Sequence, residues 1–249
     1  VKVVPIRATE EPERLVCQAA RGDYSPNFVG ETEYAELMEP VSGSDLNAKT
    51  TNLIEKQLSR GHYGPFEHPQ ITFAISGVSR VTMAQVTRHR HLTFDVQSMR
   101  YADFSEAGVV FPAALLSADE RAARYPHVFD EGEAFASPEG EMDITDEHRD
   151  MLQHMYRRKV RMAVNTYEHL VAEGVPKEDA RFVLPLGTPV NMTVSGNART
   201  MLHLLNMRNK PDAQWEIREL SERLLEHLFE WMPRTFEYYD ERGPKRLSP

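Results

Sequence analysis

The chain has a single cysteine, Cys17, in 249 residues. One thiol excludes an intrachain disulfide and any metal site built from cysteines. Cys17 lies in the apolar stretch LVCQAA of an expected helix, with no activating polar group beside it in sequence. It reads more easily as a small buried hydrophobe than as a nucleophile. The sequence also lacks any apolar run near the ~20 residues a membrane-crossing helix needs. Its opening, VKVVPIRATEEPERL, has no apolar signal core and turns acidic at once, so a cytoplasmic location is the expectation. Lysine is scarce, and arginine supplies most of the positive charge. Acidic residues outnumber basic ones 38 to 29, for a formal net charge of −9. That sign argues against broad neutralisation of a nucleic-acid backbone, while leaving room for a local basic pocket holding one phosphate. An acidic, lysine-poor surface also suits a high-salt cytoplasm. No repeat at solenoid periods and no low-complexity tract is present.

What remains is an ordinary globular composition, 41% hydrophobic and 27% charged, with length enough for a sizeable core. Residues 1–8 and ITFAI at 71–75 read as strands, as do TPVNMTVSG and the alternating SMRYADFS at 98–105. Helical spacing marks 12–21, the Ser–Asp-capped stretch from Ser44 to Arg60 closed by Gly61, and Arg80 to Arg88. A long helix is expected from Glu147 to Glu173, closed by Gly174, then a short one after Pro176. Another follows Asn197 as its cap, and a last one runs from Asp212 to Trp231. Strands and helices do not alternate as βαβ units, so the expected class is α+β. It would have a central mixed or antiparallel sheet flanked by helices and a long helical C-terminal half. No linker divides the chain. A single domain over 1–249 is expected, with a surface excursion at about 114–145, where Ala, Glu, Gly and Pro abound.

Three polar clusters carry the chemistry. RHRHLTFDVQSMRY, Arg88 to Tyr101, presents Arg88, His89 and Arg90 in a row and then Ser98 and Arg100. Guanidinium groups grip phosphate and carboxylate through paired hydrogen bonds. Three adjacent side chains at a helix end point some 100° apart and can reach more than one ligand. A solvated basic patch is the bland alternative. GHYGPFEH, residues 61–68, reads as a Gly/Pro turn. His62, Glu67 and His68 raise a metal site, but a loop holding an aromatic ring and a few hydrogen bonds fits better, and no metal is expected. NARTMLHLLNMR, Asn197 to Arg208, puts Arg199 and His203 on one side of a helix, or is simply an amphipathic helix with a polar outer face.

Together these clusters resemble the flavin-dependent thymidylate synthases. That family's signature is Arg-His-Arg, seven residues, Ser, one residue, Arg. It stands complete here as Arg88-His89-Arg90, HLTFDVQ, Ser98, Met99, Arg100. GHYGPFEH is similar to the family's GH-x-x-PFEH turn, and EGVPKEDARFVLPL to its GVP-x-E-x-AR-x-VLP segment. NART, LLNMR and DAQWEIRE follow in the expected order, and the match covers about 40–105 and 165–235.

The resemblance implies reductive methylation of dUMP to dTMP, with FAD as cofactor and NADPH and methylenetetrahydrofolate as co-substrates. It also implies a homotetramer with shared active sites. Position by position, Gln85, Arg88, Val96, Gln97, Ser98, Met99, Arg100, Arg181 and Arg208 fall on dUMP contacts. Gly64, Arg88, His89, Arg90, Asn197, Ala198, Arg199 and His203 fall on FAD contacts. Arg208 falls on the residue that activates the uracil ring, and a guanidinium there can favour the ring's developing negative charge. Departures are Thr93-Phe94 for the usual Ser-Tyr, Val96 for Glu or Gln, Gly64 for Thr and Asp212 for His. At Val96 only a backbone contact is left. Two other functions fit the same arginines: a nucleotide-binding regulator without catalysis, and another FAD/NADPH reductase that ignores dUMP.

Overall fold

The computed structural model describes residues 1–106, 108–137, 140–141 and 144–242. In chain order its elements are β1 (Lys2–Ala8), α1 (Pro12–Gly22), α2 (Tyr34–Leu37), α3 (Leu46–Ser59), β2 (Gln70–Ser79), α4 (Arg80–Val86), β3 (Thr93–Val96) and α5 (Ala118–Arg124). There follow β4 (Ala136–Ser137), β5 (Gly140–Glu141), α6 (Asp146–Ala172), α7 (Lys177–Ala180), β6 (Pro189–Asn197), α8 (Ala198–Arg208), α9 (Trp215–Trp231) and α10 (Pro233–Arg242). The main sheet runs β1-β2-β6-β3, with every pair antiparallel. The expected α+β class with a central sheet holds.

The sheet has one dry face and one polar face because its strands alternate. Ile71, Phe73 and Ile75 of β2 and Val190, Met192 and Val194 of β6 are buried on one side. There they join Val16 of α1, Ile54 and Leu58 of α3, Met201 and Leu205 of α8, Ile217 and Leu224 of α9 and Phe236 of α10 in one continuous core. On the other side the Thr72 and Ser195 hydroxyls meet at 2.9 Å. Gly77, at φ +79°, sits in an irregularity between Ile75 and Val78 where β2 gains one residue on β6. Gly196, near the end of β6, leaves room for Leu92: a Cβ there would lie 2.3 Å from the Leu92 Cδ2.

Local signals set most helix ends. Asp45 caps α3 through the Ala48 N–H, Thr145 caps α6 through His148, and Asn197 caps α8 through Thr200. Gly174, at φ +88°, follows α6. Other features differ from expectation. The stretch 98–105 is a turn and not a strand. Met99 and Phe104 are buried together with Tyr167 and Ala180, and the strand on that side is Thr93–Val96. The expected helix from Asp212 to Trp231 forms as α9, Trp215 to Trp231, and a further helix that was not expected, α10, starts at Pro233. Within 114–145, α5 begins with a capping box at Ser117 and Glu120. Leu116, Tyr125, Val128 and Phe129 form a small core of their own with Phe111 and Ala113, and Trp215 packs against it. Among the described residues, no helix is long and apolar enough to cross a membrane.

Candidate active site

Helix α4 organises the site. Ser79 caps it by accepting from the Thr82 N–H, and both the N–H and hydroxyl of Ser79 donate to the Glu216 carboxylate, at 2.6 and 2.5 Å. Glu216 is only 2% exposed, so this carboxylate is desolvated and fully engaged. The helix was expected to reach Arg88 but stops at Val86. The Thr87 hydroxyl donates back to the Met83 carbonyl, and the chain leaves the helical ladder. Arg88, His89 and Arg90 therefore occupy a turn, closed by the His89 N–H on the Val86 carbonyl and the Leu92 N–H on the His89 carbonyl. The turn separates the three side chains: Arg88 and Arg90 are exposed and His89 is buried.

His89 meets Arg208. The Arg208 Nε donates to the His89 Nε2 at 2.9 Å, and its Nη2 donates to the Gln85 carbonyl at 3.3 Å. Arginine keeps its proton, so the Nε2 that accepts must be bare and His89 is the neutral Nδ1–H tautomer. Burial, then Arg208 and His203, push the His89 pKa down to about 4. Arg208 itself is lowered by burial and by Arg88, so two guanidinium groups face one region with no carboxylate bonded to Arg208 among the described residues. Among the described residues its Nη1 makes no hydrogen bond.

His203 lies 5.8 Å from His89, ring edge to face, and opens the second part of the site. A cavity of about 410 Å³ is lined by Tyr63, Glu67, His91, Asn197, Arg199 and His203, among others. Arg199 and His203 do share one side of α8, as their spacing required. Arg199 forms an ion pair with Glu67 and lies over the Tyr63 ring at 5.9 Å. Gly64 is exposed in the adjoining turn, with nothing within 4 Å of where a Cβ would stand. Ala198 is fully buried, and its N–H donates to the Pro69 carbonyl at 3.1 Å. His62 and His68 are exposed, and among the described residues no three metal-ligating side chains converge.

The third part lies at the other end of α4. Gln97 pairs with Asn191 through its N–H, 2.8 Å, and through its side-chain oxygen, 3.3 Å. The exposed Ser98 hydroxyl accepts from the Arg100 N–H. Arg100 reaches the Glu178 carboxylate at 2.6 Å, and Arg181 donates to the Glu178 carbonyl at 2.9 Å. Met99 turns its side chain inward, and Val96, half-buried, packs on the main core. Each can offer a ligand only its backbone. The structure thus collects Gln85, Arg88, His89 and Arg208 at one end of α4, Asn197, Arg199 and His203 at the cavity, and Ser98, Arg100 and Arg181 at the far end. Sequence reasoning did not name Tyr63, Glu67 or His91 as ligand contacts, although all three line the cavity; Tyr63 and Glu67 were visible only as members of the GHYGPFEH turn, read as a loop holding a ring and a few hydrogen bonds.

Residues 6–234 match the family described as thymidylate synthase complementing protein. The chain is 46% identical to a flavin-dependent thymidylate synthase of Halobacterium salinarum, with all of both chains covered. It belongs to the flavin-dependent thymidylate synthase family. Among other members, that of Haloarcula marismortui is 43% identical over 98% of each chain, and that of Geobacter sulfurreducens 32% identical over 90% of this chain and 81% of its own. The fold is similar to that of a UMP/dUMP methylase, PolB from Streptomyces cacaoi, solved with 5-Br dUMP bound. That likeness has a TM-score of 0.74 at 25% identity and covers 98% of this chain and 96% of the other. In this flavin-dependent thymidylate synthase chain, the matched stretch holds every site residue named above.

Proposed function

We propose that this enzyme converts dUMP to dTMP by reductive methylation, with methylenetetrahydrofolate as one-carbon donor, FAD as redox cofactor and NADPH as reductant. The observation that carries the reading is Arg208, fixed by the neutral His89 and the Gln85 carbonyl with one guanidinium nitrogen left over. Methylation at the uracil C5 needs an electron-rich ring. A guanidinium held at a ring carbonyl favours charge on that oxygen and ionisation at N3, where the developing charge is stabilised without reorganisation. Arg181, Ser98 and Arg100 offer the donor set of a 5′-phosphate site, Arg100 exchanging its Glu178 partner for the phosphate.

The residues around the cavity fit FAD. Arg199, in the first turn of α8, brings positive charge suited to a pyrophosphate to the cavity wall, and Tyr63 offers a flat ring. When bound, FAD supplies the hydride that no side chain can supply. Arg199 then trades Glu67 for the cofactor, and His203 remains at the cavity wall. Cys17 takes no part: it is buried beside the Thr50 carbonyl, 3.9 Å away, and burial pushes its thiol up to about 11. A homotetramer with shared sites fits the exposed apolar side chains beside the phosphate end, Phe182 and Leu186, and the exposed Met151, Met155 and Met162 of α6. A cytoplasmic location completes the reading.

The test is tritium release from C5-tritiated dUMP with FAD, NADPH and methylenetetrahydrofolate. Release coupled to dTMP formation is expected. Flavin reduction by NADPH without tritium release would make the protein a reductase instead.

A further inference from the structure

Arg80, the first residue of α4, belongs to none of the groups above. Its guanidinium is half-buried and poorly partnered. Nη2 donates to the Gln97 carbonyl at 3.1 Å, Nη1 reaches only the Met83 sulfur at 3.7 Å, and the buried Nε has no hydrogen-bond partner. The Phe104 ring lies 5.9 Å from the guanidinium carbon. Among the described residues no carboxylate is within ion-pairing distance of Arg80. The charged group that acts on it is a second cation, Arg181, and together with burial it lowers the Arg80 pKa. Among the described residues Arg181 also has no carboxylate partner, and the Glu178 carboxylate belongs to Arg100.

Arg80 and Arg181 thus act on each other as two cations, while the nearby acid, Glu178, is taken by Arg100. A half-buried cation beside another cation is costly in the free protein, and an anion bound between them removes that cost. Arg80 also has a mechanical role. The carbonyl it holds is that of Gln97, the residue immediately before Ser98, so it ties the base of the turn from which Ser98 and Arg100 project.

We propose that Arg80 is a positioning residue for the nucleotide's 5′-phosphate: its guanidinium clamps the Gln97 carbonyl to set the Ser98–Arg100 turn and adds positive charge beside Arg181. The inference rests on dUMP being the substrate. Its consequence is selectivity for the phosphorylated nucleotide over the nucleoside.

The experiment measures dUMP binding to the flavin-loaded wild type, Arg80→Met and Arg80→Lys, with deoxyuridine as the phosphate-free probe and steady-state kinetics alongside. Methionine keeps the apolar stem against Phe104 and Met83 and removes the charge. We expect Arg80→Met to bind dUMP roughly 10–100-fold more weakly, the scale of one charge-assisted hydrogen bond. Deoxyuridine binding, FAD content and kcat should stay within a few-fold of wild type. Arg80→Lys keeps the charge and should recover part of the loss, with the dUMP KM raised less than in Arg80→Met. Unchanged dUMP affinity in Arg80→Met overturns the proposal, and so does an equal loss for dUMP and deoxyuridine. If Arg80→Met does not fold, Arg80→Lys decides: a dUMP KM raised several-fold at constant kcat supports the role, and an unaltered KM defeats it. A wild type that binds no dUMP would defeat the substrate assignment on which the role depends.

Discussion

The two ends of α4 carry the same residue type in opposite settings. At the C-terminal end Arg208 is held by a neutral, buried imidazole and a carbonyl, so its direction is fixed before any ligand arrives. At the N-terminal end Arg100 is exposed and occupied by a replaceable surface carboxylate, and Arg181 holds only a carbonyl. A fixed donor suits charge that develops during reaction, because no reorganisation is needed when it appears. A loosely paired donor suits a charge the substrate already carries, because the phosphate simply replaces the acid. On the proposed reading, chemistry belongs to one end of the helix and phosphate binding to the other.

The sharpest way to break that contrast is Arg208→Ala. It should retain FAD and fold normally while kcat falls ~10²–10³-fold. Arg208→Lys should recover little, since an ammonium does not reproduce the planar fork that meets His89 and the Gln85 carbonyl in fixed directions. Rapid-mixing kinetics on the lysine variant decide it, and reduced-flavin oxidation with dUMP and folate at near wild-type rate would make the two ends equivalent. Next comes Arg181→Ala, for which the dUMP KM should rise roughly 10–100-fold with kcat nearly constant. A fall confined to kcat would place Arg181 with the chemistry instead.

A third test uses protons. The folded His89 titrates at about 4, against an ordinary value of 6.5. As pH falls from above 6.5 towards 4, the unfolded chain takes up a proton and the folded one does not. The stability this site contributes is therefore complete above 6.5 and lost as pH drops through about 4. His89→Gln keeps an acceptor for Arg208 and removes the titration. Melting curves across this range should show a shallower acid slope for the variant; identical slopes would mean His89 is not held neutral. The smallest effect is expected at Cys17, where Cys17→Ala should cost about 1 kcal/mol of stability and leave turnover near wild type. Turnover lost in a folded, flavin-loaded variant would bring the thiol into the reaction.

What could be read in the sequence was local or fixed in spacing. Asp45, Asn197 and Gly174 announced their helix ends because caps act over three or four residues. The Arg199–His203 spacing gave a shared side of α8 for the same reason. The failures were long-range. SMRYADFS alternates like a strand, yet Met99 and Phe104 are drawn under Tyr167 and Ala180 and the segment has no partner strand. Arg80 looked like an ordinary helix-start arginine, since its neighbours Gln97, Phe104 and Arg181 come from three distant segments. The core formed by Phe111, Leu116 and Tyr125 was hidden because acidic composition masked a few well-spaced apolar residues.

Glu216 lies 137 residues beyond Ser79, the cap it holds. A ribosome adds ~5–20 residues per second, so the cap that starts the signature helix waits roughly 7–27 s after its own synthesis for its acid to be made. Any chain released before α9 has the whole Arg-His-Arg turn and the Ser98–Arg100 segment, yet lacks the carboxylate that takes both donors of Ser79. The start of the signature helix is thus finished from the far end of the chain, by an acid of α9 rather than by a sequence neighbour.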